Sequence, residues 1–372
     1  MRTLGLIRED NELKVVALTP MNVDSLKEAF LVNVETGAGE ASGFTDDSYE
    51  QAGATIFRDR EDLIRDSELI VTYSSLVEIA DDQEPKIIIA CYPVRNDYSF
   101  LIPYKHKRVD LFSLDLVPRS TYAQSMDPLT SLASLNGYQA AISSFWHFES
   151  VIPLISGAGG TLKPAKVLVL GAGIAGLQAI ATAKRMGAIV YAFDIRRDTK
   201  SEVESLGAIF IEIDGADEIK ENGGYAMEQR REFNIKVNET IESVIKDMDV
   251  VITTARVPGK EAPKLISDKA VAGMKKGSVI VDLASDTGGN SNYTVDGEQV
   301  LYDGILIIGE SKFFKRTPKS ASTLLGNNFQ KFIEHLVKNN DNLLNDEIIQ
   351  ETFVMQQGEI VNEKILKEVN DL

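Results

Sequence analysis

A single cysteine, Cys91, stands among 372 residues, so no internal disulfide can form, as expected of a protein kept in a reducing cytoplasm. Basic residues are also scarce. Lys and Arg number 39 against 56 Asp and Glu, a net charge of −17, which disfavours nucleic acid or an anionic membrane surface as a partner because both would be repelled. Long apolar runs are missing: "KIIIACY" and "GILIIG" fall far short of the roughly 20 residues of a membrane span. The opening "MRTLGLIRED" puts acids where a secretory leader needs an apolar core. These absences predict a soluble, cytoplasmic chain with no direct membrane insertion. Histidine is rare, limited to His106, His147 and His335, one in a basic loop and two on long helices. All three read as structural, and no metal site is expected.

What the chain does have is alternation. Short β-branched runs alternate with helical patterns, the signature of parallel α/β sheets. In the first third "ATIFR", "ELIVTYS", "KIIIACY" and "RVDLFSL" read as buried strands, with helical stretches such as "DSYEQAG" and "DREDLIRDS" between them. A polar loop at "RSTYAQSMDPLT" then runs into a long helix. The middle third repeats the alternation in "KVLVLGAG", "AIVYAFD", "AIFIEI", "MDVVITTA", "GSVIVDLA" and "GILIIG", and "YTVDGEQVLYDGILIIG" reads as a hairpin. After Pro318 the pattern turns helical, with Leu325, Phe329, Phe332, Ile333 and Leu336 spaced as a packing stripe. The expected fold is α/β, with two doubly wound parallel-sheet domains.

The sharpest motif is "GAGIAG". It follows the strand "KVLVL", opens a helix, and is followed by a second strand that ends in Asp194. Gly171, Gly173 and Gly176 would let a pyrophosphate approach the free N–H groups at the helix N-terminus. Asp194 could accept both ribose hydroxyls and repel a 2′-phosphate, which favours NAD(H), whereas Arg196 and Arg197 could neutralise such a phosphate. A tight turn without a nucleotide is the bland alternative. The polar segment "DGADEIKENGGYAMEQRREF" separates two strands and carries adjacent glycines, so it reads as a lid or as a solvated acidic loop.

Longer motifs carry a resemblance. "QSMDPLTSLASLNGYQA", "ENGGYAMEQRREF", "ITTARVPGKEAPKLI" and "VIVDLASDTGGN", with "VETGAGEASGFTDDSYEQAGA" nearer the start, resemble the soluble NAD(H)-binding component of proton-translocating nicotinamide nucleotide transhydrogenase, in the family that also holds the alanine dehydrogenases. The resemblance implies a first domain built from both termini (1–128 with 318–372) and a Rossmann domain at 129–317. It implies NAD(H) on this chain, NADP(H) on a partner subunit, membrane-spanning subunits that conduct protons, a homodimer, and a peripheral place at the inner membrane through those partners. Separate subunits are required because the chain shows no second nucleotide fold with membrane helices.

In the family a loop R-I-S-R-A-Q-S-M-D lies over the nicotinamide. Here it reads "RSTYAQSMD", keeping Arg119, Gln124, Ser125, Met126 and Asp127, with Thr130 where the family has serine. Ser120 and Tyr122 depart from it. The same register implies Ile174 at the pyrophosphate, Asp194, Ile195 and Arg196 at the adenosine ribose, and Gly224 and Tyr225 in a mobile "GGYA" loop. Val237 and Arg256 stand near the adenosine, where glutamine and leucine are usual. "SKFFKRTP" keeps Arg316 and Pro318 but lacks the usual L-P-S before the arginine.

Chemistry separates the two branches of the family. An amino-acid dehydrogenase must move a proton as well as a hydride, and it must anchor a carboxylate. Alanine dehydrogenases use an arginine, a lysine and a histidine for this, and the matching positions here are Val15, Ser74 and Asp115. Transfer between two nicotinamides needs orientation and exclusion of water, tasks suited to Arg119, Gln124 and Asp127. Asp127 before Pro128 is equally a natural helix start, so capping is the alternative role for this loop. The alternative functions are an alanine-type dehydrogenase and a non-catalytic NAD(H)-binding module.

Overall fold

The computed structural model describes residues 2–81, 83–95, 97–213, 225–257, 260–339 and 345–370. The chain forms two compact units: Met1–Leu132 with Phe314–Leu372, and Ala133–Phe313.

Unit 1 begins with β1 (Arg2–Leu6), α1 (Pro20–Leu26), β2 (Phe30–Glu35), α2 (Asp46–Gln51), β3 (Thr55–Phe57), α3 (Arg60–Asp66), β4 (Leu69–Val71), β5 (Lys86–Ala90) and β6 (Val109–Ser113). Thr45 and Asp59 cap α2 and α3, accepting from the amides of Ser48 and Asp62, so each short helix starts where a side-chain oxygen satisfies an orphan N–H. From residue 128 the chain runs along α4 (Pro128–His147) into unit 2. There it forms an exposed hairpin of β7 (Ile155–Gly157) and β8 (Gly160–Leu162), then β9 (Lys166–Leu170), α5 (Ile174–Arg185), β10 (Ile189–Phe193), α6 (Thr199–Ser205), β11 (Ile209–Phe210), α7 (Tyr225–Val244), β12 (Val250–Thr253), α8 (Asp268–Ala272), β13 (Val279–Asp282), β14 (Gln299–Tyr302) and β15 (Ile305–Gly309). The chain returns to unit 1 through α9 (Pro318–Lys338), α10 (Glu347–Thr352), β16 (Phe353–Gln356), β17 (Glu359–Ile360) and α11 (Glu363–Asn370).

The unit 1 sheet has the order β3-β2-β1-β4-β5-β6-β16-β17, parallel through β6 and closed by two antiparallel strands. The unit 2 sheet has the order β11-β10-β9-β12-β13-β15-β14, parallel except for β14. Numbered by position within the parallel set, both sheets read third, second, first, fourth, fifth, sixth. Each is therefore doubly wound about a switch point, between β1 and β4 in one and between β9 and β12 in the other. Central strands are buried on both faces. Val167, Leu168, Val169 and Leu170 are fully buried, as are Val250, Val251 and Ile252, which is why these stretches read as unbroken apolar runs. The α9 stripe is also buried, with Leu325, Phe329, Phe332 and Ile333 at 0% exposure, each contributing roughly 1.5–3 kcal/mol through burial. Among the described residues no helix is long and apolar enough to cross a membrane.

Candidate functional site

In unit 2 the glycine turn lies at the carboxyl end of β9, beside the switch point. The glycines do different work. Gly171 has φ +100°, and a Cβ there would lie 2.5 Å from Thr254 Oγ1, whose hydroxyl donates to the Gly171 carbonyl at 3.1 Å. A Cβ on Gly176 would lie 1.8 Å from that same carbonyl, so only glycine lets the helix start so close to the strand. Gly173 is different. Its Cβ position meets only Arg196 Nη2, at 3.9 Å, so this residue faces open space at the N-cap of α5. No side chain caps α5, and its first amides and dipole are left for an anion. Ile174 heads the helix and is exposed. This turn fits a dinucleotide pyrophosphate, because two glycines build it and the third keeps it open.

Asp194 follows β10 and is 9% exposed. Its carboxylate is already occupied. Oδ1 accepts from Arg196 N at 2.8 Å and Nε at 3.0 Å, and Oδ2 accepts from Ala172 N at 2.7 Å and Arg196 Nη2 at 2.9 Å. Burial works to raise its pKa, but the Arg196 guanidinium and the two amides outweigh it and hold the carboxyl below its usual range. The sequence motif presents Asp194 as a free acceptor for ribose, whereas in the folded chain its lone pairs also serve to hold the turn and Arg196 together. Ile195 is exposed beside it. A pocket of about 130 Å³ adjoins these residues, lined by Phe193, Ile195, Ile211, Ile213 and Phe233 with Lys200 at its side.

Three further positions are placed as follows. Val237 on α7 is 3% exposed within the apolar core, so its side chain serves packing and is not presented to a ligand. Arg256 folds onto Asp286, Nη2 to Oδ1 at 2.8 Å, and also donates to the Leu283 carbonyl. Tyr225 is the first residue of α7, while Gly224 and the lid segment before it lie outside the described residues.

In unit 1, Arg119 and Gln124 are exposed, Ser125 is exposed, and Met126 is buried beneath them. Asp127 caps α4, accepting from Thr130 N at 3.1 Å and Thr130 Oγ1 at 2.6 Å. Asn328 Nδ2 on α9 donates to the Ser125 carbonyl at 2.9 Å, which ties the loop to a long helix. Tyr122 stands exposed and edge-on to His335, ring centroids 5.8 Å apart. Phe313 and Phe314 are buried at 0% and 3%; Phe314 sets its ring edge-on to Tyr73, so the departure at "FFKR" fills apolar space in the core.

The positions that would serve an amino-acid dehydrogenase hold different chemistry. Val15 is buried and apolar. The Ser74 amide donates to Glu9 Oε2 at 3.0 Å. Asp115 is 5% exposed, accepts from Ser113 Oγ at 2.8 Å and Arg95 N at 3.3 Å, and burial pushes its pKa up to about 6. No cation replaces the missing arginine or lysine at these positions. Sequence reasoning overlooked Glu9. Its buried carboxylate accepts from the amides of Tyr73, Ser74 and Ser75 and from Thr72 Oγ1, closing the β1–β4 switch point from within. The signal was present in "IRED", an acid at the end of a strand, although nothing local announces its partners.

The folds and the open glycine turn define a two-unit α/β protein of the doubly wound class, with a nucleotide-type phosphate turn in its inserted unit. Comparison with known proteins sharpens this. Residues 5–136 match the alanine dehydrogenase/PNT N-terminal domain and residues 140–363 the alanine dehydrogenase/PNT C-terminal domain. The chain belongs to that family, and membership implies a nicotinamide nucleotide as cofactor. It is 38% identical over 364 residues to NAD(P) transhydrogenase subunit alpha of Haemophilus influenzae (strain ATCC 51907 / DSM 11121 / KW20 / Rd), covering 96% of this chain and 71% of that one. It is 35% identical over 355 residues to the protein of the same name from Cereibacter sphaeroides, covering 93% and 68%. Its fold superposes on a transhydrogenase from Sinorhizobium meliloti with a TM-score of 0.84 at 32% identity, covering 98% of this chain and all of that one. The resemblance carried by the sequence motifs pointed to these same relatives.

Proposed function

We propose that this chain is the NAD(H)-binding component of a nicotinamide nucleotide transhydrogenase, passing hydride to NADP⁺ held on a partner subunit, in an assembly whose membrane subunits translocate protons. The observation that carries this reading is the chemistry at Val15, Ser74 and Asp115. These positions offer no cation to anchor a carboxylate substrate and no imidazole to move its proton. The relatives named above support the same reading. The bound nicotinamide supplies the hydride chemistry, and the protein's tasks are binding, orientation and exclusion of water. Gly171, Gly173 and Gly176 take the pyrophosphate with Ile174 beside it. Asp194, Ile195 and Arg196 take the adenosine ribose, with Arg256 turning from Asp286 to the adenosine. Arg119, Gln124 and Asp127 orient the nicotinamide carboxamide, and Ser125, Met126 and Thr130 hold that loop in shape. Gly224 and Tyr225 contact the nucleotide.

The chain acts as a homodimer in the cytoplasm, held at the inner membrane by its partners. Exposed Trp146, Leu154, Ile155 and Leu162 around the β7–β8 hairpin and Leu301 on β14 offer apolar area for self-association. Asp115 favours a second reading, an alanine-type dehydrogenase, since a carboxyl with a pKa near 6 can exchange protons near neutrality.

One experiment separates the two readings. Purified chain is mixed with an NADP(H)-binding transhydrogenase component, and reduction of an NAD analogue is followed. Transfer is expected in the wild type, with Gln124→Asn slowing it roughly tenfold or more while NADH still binds. Oxidation of alanine by the chain alone, or wild-type transfer by Gln124→Asn, would refute the proposal.

A further inference from the structure

Unit 1 carries a second concave site, distinct from the groups invoked so far. A cleft of about 890 Å³ is lined by Arg8, Lys14, Lys315 and Arg316, with Glu12 and Glu40 as its only carboxylates. Arg8 is paired with Glu35, Nε to Oε1 at 3.8 Å, and the remaining lysines and arginine still leave the cleft basic in a chain of net charge −17. Val15, Ser74 and Asp115 do not line it. Lys14 and Lys315 have no ion-pair partner among the described residues, although two carboxylates share their cleft.

The cleft also receives a helix end. Pro318, the first residue of the 21-residue α9, lies in its wall, and the Thr317 N-cap makes no side-chain capping bond. The Thr317 hydroxyl instead donates back to the Phe314 carbonyl at 3.2 Å. The amides of the first turn and the positive end of the helix dipole therefore add to the side-chain charges of Lys14 and Lys315.

Backbone strain points to the same place. Lys14 has φ +53°, a left-handed conformation that glycine or asparagine adopts far more readily. His106, Asp303 and Gln357 share this region, and the last two each precede a glycine in a two-residue hairpin turn that demands it. Lys14 heads no hairpin. It is held by a buried relay: Ser42 Oγ donates to the Lys14 carbonyl at 3.0 Å and lies 2.7 Å from Ser322 Oγ, which accepts from Val16 N at 3.0 Å. Ser322 sits in α9, so the relay fixes Lys14 and the helix that opens on the cleft in one geometry. Strain retained by a buried hydrogen-bond network is characteristic of binding sites.

We propose that this cleft binds a small, multiply charged oxyanion, with Lys14, Lys315 and the α9 N-terminus as its principal ligands and Arg8 and Arg316 flanking them. Phosphate-bearing and polycarboxylate anions share the required chemistry. The test is isothermal titration of the full chain, at low ionic strength, with pyrophosphate and separately with succinate. Binding of either supports the site and identifies the source. Lys315→Gln and Lys14→Gly should each weaken binding by roughly tenfold or more, the loss of one charge-assisted contact. Lys14→Gly should at the same time raise the melting temperature, because glycine accepts that backbone without strain. Both variants should titrate NADH as the wild type does. Absence of binding at millimolar anion would overturn the proposal. So would heat that survives both lysine changes, since that anion would be reading the glycine turn of unit 2.

Discussion

Two sheets with the same strand order solve the same geometric problem in opposite ways. A doubly wound sheet diverges at its switch point and leaves a crevice of free amides at the strand ends. In unit 2 that crevice stays open, since Gly173 carries no side chain and α5 has no cap. In unit 1 the chain fills it, with Glu9 spanning from β1 to the amides of residues 73–75 after β4. One fold leaves the crevice open and the other fills it with a side-chain carboxyl. Architecture alone therefore says little about ligands, and the presence or absence of one side chain decides.

The carboxylates that follow strand ends repeat the contrast. Asp194, after β10, is hydrogen-bonded by a guanidinium and its pKa falls; Asp115, after β6, takes its hydrogen bonds from a hydroxyl and amides, the Arg95 charge does not offset burial, and its pKa rises to about 6. Burial acts upward on both, and only the company differs.

Three measurements would break or sharpen this comparison. Glu9→Ala is expected to have the largest effect. It strands three amides and a hydroxyl in a buried crevice, at a cost of about 3–5 kcal/mol by urea denaturation. If the crevice is an anion site filled from within, sulfate should restore part of that loss in the variant while changing the wild type much less. Equal response of the two proteins would remove the parallel with unit 2.

Asp115 comes next. Its folded pKa lies above the unfolded value, so its stabilising contribution is complete below about pH 4 and is lost as pH rises through about 6. The shift is worth on the order of 3 kcal/mol at most. Asp115→Asn should remove that part of the dependence, so the wild-type-minus-variant stability difference falls between about pH 4.5 and pH 8. Asp194 works in the opposite direction, its contribution being present above its unfolded pKa and lost as pH falls. A flat difference for Asp115→Asn would mean that its carboxyl is not strained by burial.

The smallest effect concerns Arg196→Ala. Releasing Asp194 from its guanidinium should favour NADH over NADPH, shifting the ratio of the two dissociation constants by roughly tenfold, about 1.4 kcal/mol. Fluorescence titration with both cofactors reads it directly. An unchanged ratio would show that Arg196 has no part in selection.

Much of unit 2 was legible in the sequence because its strands are unbroken β-branched runs and its turn is spelled out by three glycines. Unit 1 was harder. β1 carries Gly5 in its middle, required because a Cβ there would lie 2.7 Å from Leu63 and Ser67 on and beside α3, and glycine weakens a strand signal. β2 is interrupted by Asn33, whose buried amide donates to Ser67 Oγ at 3.1 Å. β16 and β17 sit in a stretch that reads as helical, because β16 becomes a strand by pairing with β6 from across the sequence and β17 by pairing with β16. In the site, residue types were legible and occupancy was not. Nothing in "YAFDIRR" reveals that Arg196 returns to Asp194, nor does "IRED" reveal what Glu9 caps. Both depend on contacts made only once the sheet has formed.

The return of the chain to its first sheet has a consequence for synthesis. β6 ends at Ser113, and its antiparallel neighbour β16 begins at Phe353, about 240 residues later. At roughly 5–20 residues per second that is on the order of 10–50 s of translation during which the edge of β6 is bare. Unit 2 emerges whole in that interval and has every strand it needs. The first sheet waits with an edge open to pairing with other nascent chains, so the late step in folding this protein belongs to the half whose sequence begins first.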